Sequence, residues 1–268
     1  KTILLSLLFL PFTLLAGPNT ILIKGKVENA TGDTLRYHWL KNHFAEREES
    51  VISLTDKKKN HATTITQSSP VYLNLSYGNT SWLLYAAPGD TILLDIKGQK
   101  DAYTLSFSGK KANDNKVLQE YMQQFKENRK EIEQHLRSDS ARVFKTYRDT
   151  MEQRSLRFVR QRKATVSAAF YLQLVSDIRY ASAIDKINYL KRNRMYSIRP
   201  GEEETTIPGY FDFLYQRGLI NDSALVSPAY TRFIDLFLFH QYLRTVNFTR
   251  SKMNVTTDEL YNYAKIIY

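Results

Sequence analysis

The chain has 268 residues, 43% of them hydrophobic, enough to bury one large or two medium cores. It contains no cysteine, which excludes structural disulfides, thiolate metal sites, a cysteine nucleophile and a lipid-modified N-terminal cysteine within these residues. A net charge of +11 and an isoelectric point near 9.5 permit contact with anionic surfaces or acidic glycans, but charge alone selects no partner.

Residues 1–17 have a single basic residue, Lys1, then an apolar run interrupted by Pro11, and end in Ala16 and Gly17. This is the build of a secretory signal peptide. The run is shorter than the roughly 20 apolar residues a membrane span needs, so the mature protein is expected to leave the cytoplasm with no transmembrane span.

From Thr20 the pattern has period two, with Ile21, Ile23 and Val27 alternating with Leu22, Lys24, Lys26 and Glu28. Gly25 sits mid-strand, where a bulge or a close backbone approach would put it. Ala30-Thr31-Gly32-Asp33 then predicts a hairpin into Leu35, Tyr37 and Trp39. Asn42 to Ser50 is polar and reads as a loop. Weaker strands follow at Val51 to Leu54 and Ala62 to Thr66, joined by Asp56-Lys-Lys-Lys-Asn60, then a stronger one at Val71 to Tyr77.

Gly78-Asn79-Thr80 turns the chain into Ser81 to Ile96, the most apolar stretch. Two runs, Leu83-Leu84-Tyr85 and Ile92-Leu93-Leu94, flank Pro88-Gly89-Asp90, whose residue types suit a tight reversal. Apolar residues on both faces predict a hairpin at the centre of a two-layer structure. A last strand, Tyr103 to Phe107, completes roughly eight short strands with no helix among them, the pattern of an antiparallel β-sandwich over residues 18–109.

Ser108-Gly109-Lys110-Lys111 marks the boundary, and no strand pattern reappears after it. Asn113 is a candidate N-cap for one long helix with Leu118, Tyr121, Met122, Phe125, Arg129, Ile132 and Leu136 along one stripe, apolar except at Arg129. Phe144, Tyr147, Met151, Ser155 and Phe158 continue at helical spacing, and separate helices are expected over Val166 to Ile178 and Ser182 to Lys191. An acidic loop, Glu202-Glu203-Glu204, lies between two Pro-Gly pairs. Ser227-Pro228 is a helix start, with Tyr230, Ile234, Phe237 and Gln241 on the face behind it. Thr256 suits a further cap, and an end at Ile266-Ile267-Tyr268 with no capping residue predicts that the 110–268 helical region is truncated. The fold class is α+β, an N-terminal antiparallel β-sandwich followed by an all-α helical region.

No chemical constellation emerges. His38, His43, His61, His135 and His240 fit no common ligand spacing and read as surface residues, so no metal is expected. Glu46, Glu48 and Glu49 lie in a polar loop that defines no carboxylate separation. No nucleophile elbow, phosphate-binding glycine loop or dinucleotide fingerprint appears, so no catalytic residue and no cofactor are assigned. The basic run from Arg142 to Lys163 wraps around its helix in place of lining one strip, which argues for a solvated helix and against nucleic acid. Among the aromatics, Tyr37, Trp39, Trp82 and Tyr85 are candidates for a sugar-stacking platform, with core packing the favoured account of the same residues.

Taken in order, Ile23-Lys-Gly25 with Gly32, Pro70 before Val71-Tyr-Leu73, Ala87-Pro-Gly-Asp90, Phe107-Ser-Gly109 with Ala112-Asn113 and Asn115, and Leu225-Val-Ser-Pro-Ala-Tyr230 resemble the N-terminal, non-catalytic part of the TlpA/ResA-type thioredoxin-like proteins of Bacteroides-like bacterial envelopes. One local departure is the Asp56 to Asn60 turn, where relatives usually carry an Asp-Gly pair. In that family the β domain and helical connector precede a thioredoxin-fold domain with a Trp-Cys-x-x-Cys site. The resemblance therefore implies an exported protein of the periplasm or outer-membrane-associated envelope, linked to thiol-disulfide exchange. No family catalytic residue can be placed on a chain without cysteine, so this chain reads as a non-enzymatic accessory module whose partner is a downstream thioredoxin-like domain or another envelope protein. The competing reading is a stand-alone envelope domain that binds glycan or peptide on its sandwich.

Overall fold

The computed structural model describes residues 18–29, 32–42, 47–99, 102–126, 128–193, 209–214, 224 and 227–245. The signal peptide expected over residues 1–17, the loop expected at Glu202-Glu203-Glu204 and the helix expected from Thr256 all lie outside these residues. The strands are β1 (Thr20–Glu28), β2 (Thr34–Asn42), β3 (Arg47–Leu54), β4 (Asn60–Thr66), β5 (Val71–Tyr77), β6 (Thr80–Ala86), β7 (Thr91–Gln99) and β8 (Ala102–Ser108), with side chains pointing alternately to the two faces and apolar residues on both faces in parts of β1 and β6. They form two four-stranded sheets, ordered β4-β1-β7-β8 and β3-β2-β5-β6. Between them lies a core of Ile21, Ile23, Val27, Leu35, Tyr37, Leu73, Leu75, Leu84, Ile92, Leu94 and Ile96, all essentially inaccessible to solvent.

The pairing departs from the expected hairpins. Strands β2–β3, β5–β6 and β7–β8 are antiparallel neighbours, the β5–β6 pair closing through Gly78, whose φ is +55°. By contrast β1 and β2, β3 and β4, and β6 and β7 lie in opposite sheets, so the segments joining them carry the chain across the sandwich. Nor is the sandwich wholly antiparallel: β1 runs parallel to β7, with Gly25 opposite Leu94. The apolar Leu83 and Tyr85 do not mark a central strand either, because β6 is at a sheet edge and its second apolar face is covered by helices. Of the loop expected over Asn42 to Ser50, the described residues, Asn42 and Arg47 to Ser50, are strand, since polar side chains are compatible with an outer strand whose one face is solvated.

Five α-helices follow among the described residues: α1 (Ala112–Lys126), α2 (Asn128–Ser138), α3 (Ala141–Gln161), α4 (Ala168–Arg192) and α5 (Pro228–Thr245). The single long helix expected at the start is two helices. Asn113 lies inside α1, which begins where Ala112 N–H donates to the Gly109 carbonyl at 3.2 Å; Asn113 instead donates from its side-chain amide to the Thr165 carbonyl at 3.1 Å. The two helices expected between Val166 and Lys191 are one, since no glycine or proline interrupts α4. The start at Ser227-Pro228 is as expected: Tyr230 N–H donates to Ser227 Oγ at 3.1 Å. Helices α2 to α5 share an aromatic core around Phe144, Tyr180, Tyr189, Tyr210 and Phe233, the last buried face of α5.

Candidate functional site: the seam between sandwich and helices

A sheet edge exposes backbone groups that need partners once they are buried. Along β6 those partners come from α1. Asn115 accepts from Tyr85 N–H at 2.8 Å and donates to the Tyr85 carbonyl at 2.9 Å, and one turn later Gln119 donates to the Leu83 carbonyl at 2.5 Å. Asn115 is buried, so α1 substitutes its amide side chains for a fifth strand.

The Pro88-Gly89-Asp90 turn fixes the start of this arrangement. Asp90 N–H donates to the Ala87 carbonyl at 3.0 Å and Gly89 has φ +83°, so Ala87 to Asp90 form a type II turn with proline and glycine at its two central positions. The turn is fastened to β1 through Gly89 N–H to the Thr20 carbonyl at 2.8 Å. The Asp90 carboxylate accepts from Ala87 N–H at 2.9 Å and pairs with Lys111 at 3.2 Å, immediately before α1.

Behind α1, the buried Asp114 accepts from both the N–H and the hydroxyl of Ser167, at 2.7 and 2.6 Å. Ser167 Oγ in turn accepts from Phe170 N–H at 3.3 Å and caps α4. Between these polar fastenings Tyr85 packs on Phe170 at a ring separation of 5.0 Å, within an apolar layer that includes Leu118, Leu156, Val159, Leu174 and Ile178. At the far end Asp177 of α4 collects three donors from different elements. Tyr72 of β5 donates at 2.6 Å, Ser227 at the start of α5 donates to its other oxygen, and Gln173 lies at 3.4 Å. Burial pushes the Asp177 carboxyl up despite these donors. Both serine hydroxyls are therefore occupied as helix caps and as donors to carboxylates, an arrangement that holds elements together.

A second polar layer joins α3 to α4. Arg148, buried, pairs with Asp185 at 2.9 Å, and burial raises the Asp185 carboxyl in spite of that pairing. Lys186 pairs with Asp149, which also receives Lys145 at 2.9 Å; burial pushes Asp149 upward, but the two lysines outweigh it and hold it below the usual carboxylate range. Arg148 is thus the buried member of the basic run, and Lys145 and Arg162 are half-buried and paired, with Asp149 and Glu120. Arg142, Arg154, Arg157 and Arg160 are exposed, as expected of a solvated helix.

The aromatic platform does not assemble. Tyr37 and Trp39 point into the sandwich core at 0% and 5% exposure and Trp82 packs half-buried against the same core, whereas Tyr85 is on the opposite face of its sheet, under α1 and α4. Neighbouring strands placed these residues near each other, but strand phase sent them to different layers. The histidines are not uniformly at the surface: His38 is exposed, His135 pairs with Asp139 at 2.8 Å, and His61 and His240 are buried. Glu48 and Glu49 are adjacent on β3 and so face opposite ways, while His43 and Glu46 are outside the described residues.

Gln119, Asp114 and Asp177 escaped the sequence reading, and Asn115 entered it only as a residue of the family resemblance, with no structural role assigned. Their one readable sign was the Asn115/Gln119 pair at i and i+4 on a predicted helix beside the apolar Leu118.

No family model and no curated protein matches this chain. Among solved structures it is similar to one described as a "putative cell adhesion protein" from Bacteroides ovatus, with 13% identity and a TM-score of 0.24 over 34% of this chain and 43% of that one. Among the described residues no helix is long and apolar enough to cross a membrane. Fold and seam together define the class: a β-sandwich whose edge is closed by the helices that follow it.

Proposed function

We propose that this chain is the accessory scaffold of an exported, thioredoxin-like envelope protein, holding a redox domain that follows it in the longer protein at a fixed position. One observation carries the reading. Residues on which the family resemblance rests are fasteners: Gly25 admits the β7 backbone, Ala87 to Asp90 tie β1 to α1, Asn115 closes the edge of β6, and Ser227 anchors α5 to Asp177. A chain that spends its motif residues on joining sheet to helix behaves as a rigid spacer, and rigid spacing is what a thiol-disulfide domain needs to meet partners in one orientation.

The test is the coding frame beyond the codon for Tyr268. The reading predicts continuation through on the order of a hundred further residues, one domain, containing Trp-Cys-x-x-Cys. A stop within a few codons would remove the redox link.

A further inference from the structure

A groove of about 670 Å³ opens on the part of the β3-β2-β5-β6 sheet that the helices leave bare. It is lined by Asp33, Thr34, Arg36, His38, Ser76, Tyr77 and Tyr103, with Gly32 and Gly78 between them. Both glycines are needed for its shape: a Cβ on Gly78 would meet the Tyr103 ring at 3.1 Å, and one on Gly32 would meet the Tyr77 hydroxyl at 3.3 Å. The wall is fixed in advance, because the Tyr77 hydroxyl donates to the Gly32 carbonyl at 2.8 Å and accepts from Gly32 N–H at 3.0 Å, while the Tyr103 ring stands edge-on to Tyr77 at 5.0 Å.

Arg36 and His38 are two residues apart on β2 and therefore share a face about 7 Å apart. Both are exposed, and Arg36 forms no ion pair or side-chain hydrogen bond with any described residue. Ser76 is directly across the ladder from Arg36. The strands beneath are interior ones, β2 between β3 and β5, and β5 between β2 and β6, so their backbone is already paired and a peptide cannot add as a strand. What remains is short polar side chains, a half-exposed tyrosine ring and one unpaired guanidinium.

From this set we infer that the groove binds an anionic saccharide, with Tyr103 against a sugar face, Ser76, Thr34 and Asp33 on hydroxyls, and Arg36 on the carboxylate or sulfate. Asp33 is the one acidic group lining the groove and limits it to ligands whose charge lies on the Arg36 side. The inference is independent of the scaffold reading, which places no ligand on the sandwich.

Amide spectra of the ¹⁵N-labelled full chain, titrated with trigalacturonate and with a heparin-derived tetrasaccharide, test it and separate a carboxylate from a sulfate source. Shifts at Arg36, His38, Ser76 and Tyr103 are expected with at least one of them. Arg36→Gln, at an exposed position, is expected to weaken that binding roughly tenfold, and Ser76→Glu, which would pair with Arg36, to weaken it as much, with distant amides unmoved. The inference is overturned if neither saccharide binds at millimolar concentration, if cellotriose binds as tightly, if tetraglutamate shifts the same amides with equal affinity, or if Arg36→Gln changes nothing.

Discussion

Asn115 of α1 satisfies both backbone groups of Tyr85 on β6, at 2.8 and 2.9 Å, and does so fully buried. Truncation to alanine leaves a buried N–H and a buried carbonyl without partners. Asn115→Ala should therefore lower stability by about 2–3 kcal/mol, read as a shift of the urea midpoint at constant slope. Asn115→Asp should be no better, since it keeps the acceptor but loses the donor to the Tyr85 carbonyl. A loss under about 0.5 kcal/mol, the level of an ordinary surface change, would show that the edge of β6 does not need α1.

Two glycines separate packing from backbone strain. A Cβ on Gly25 would stand 1.5 Å from the Leu94 carbonyl oxygen, so Gly25→Ala must push β1 away from its parallel partner and should cost about 3 kcal/mol or more. Around Gly89 nothing lies within 4 Å, and only φ of +83° resists a side chain. Gly89→Ala should cost about 1–2 kcal/mol, and the β-branched Gly89→Val somewhat more. Equal losses at the two sites, measured by the same denaturation, would contradict the close approach of β1 and β7.

This contrast also shows what the sequence made legible. Period-two alternation at Ile21, Ile23 and Val27 and the residue types of Pro88-Gly89-Asp90 identified strands and turn correctly, because both depend on neighbours in the chain. Sheet membership depends on residues far apart in the chain: nothing local distinguishes a turn that joins paired strands from one that crosses between sheets, and the parallel β1–β7 pair joins segments some seventy residues apart. Mid-strand Gly25 did signal a close approach. The seam was the least legible part, since Asn115 and Gln119 look like the solvated face of a helix until β6 is placed beside them.

His61 gives the stability a pH dependence of defined sign. Its ring is buried beside Gly25 with neither nitrogen hydrogen-bonded, and burial lowers its pKa to about 4 against the opposing pull of Asp95. The unfolded chain then binds the proton more tightly, so stability is full above the unfolded pKa near 6.5 and is lost as pH falls toward 4. Between pH 7 and 5 the loss should be about 2 kcal/mol, and His61→Leu should flatten that slope. Below this window Glu28, Asp56 and Asp149, all held low by their partners, add further acid loss, while the raised Asp177 and Asp185 act in the opposite sense. An unchanged slope in the leucine variant would assign the dependence elsewhere.

Asp177 joins β5, α4 and α5 through its three donors. Asp177→Ala strands the hydroxyls of Tyr72 and Ser227 and should cost about 3 kcal/mol, with faster amide exchange at Tyr230 as the α5 cap loosens. Asp177→Asn keeps an acceptor and should fall between alanine and wild type. If the alanine variant left α5 exchange unaltered, Ser227 would be capping α5 without help from Asp177.

The central claim is that the seam makes sandwich and helices one rigid scaffold, and the absence of native cysteine allows a direct measurement. Thr64→Cys on β4 and Arg157→Cys on α3, both at exposed positions, can carry a pair of spin labels for a pulsed dipolar distance measurement. The account predicts one narrow distance distribution, no wider than the labels themselves allow, that broadens when Asn115 and Gln119 are both changed to alanine. A broad or multiple distribution in the otherwise unaltered protein would contradict it, because a scaffold that moves freely at its seam cannot hold a following domain in one position.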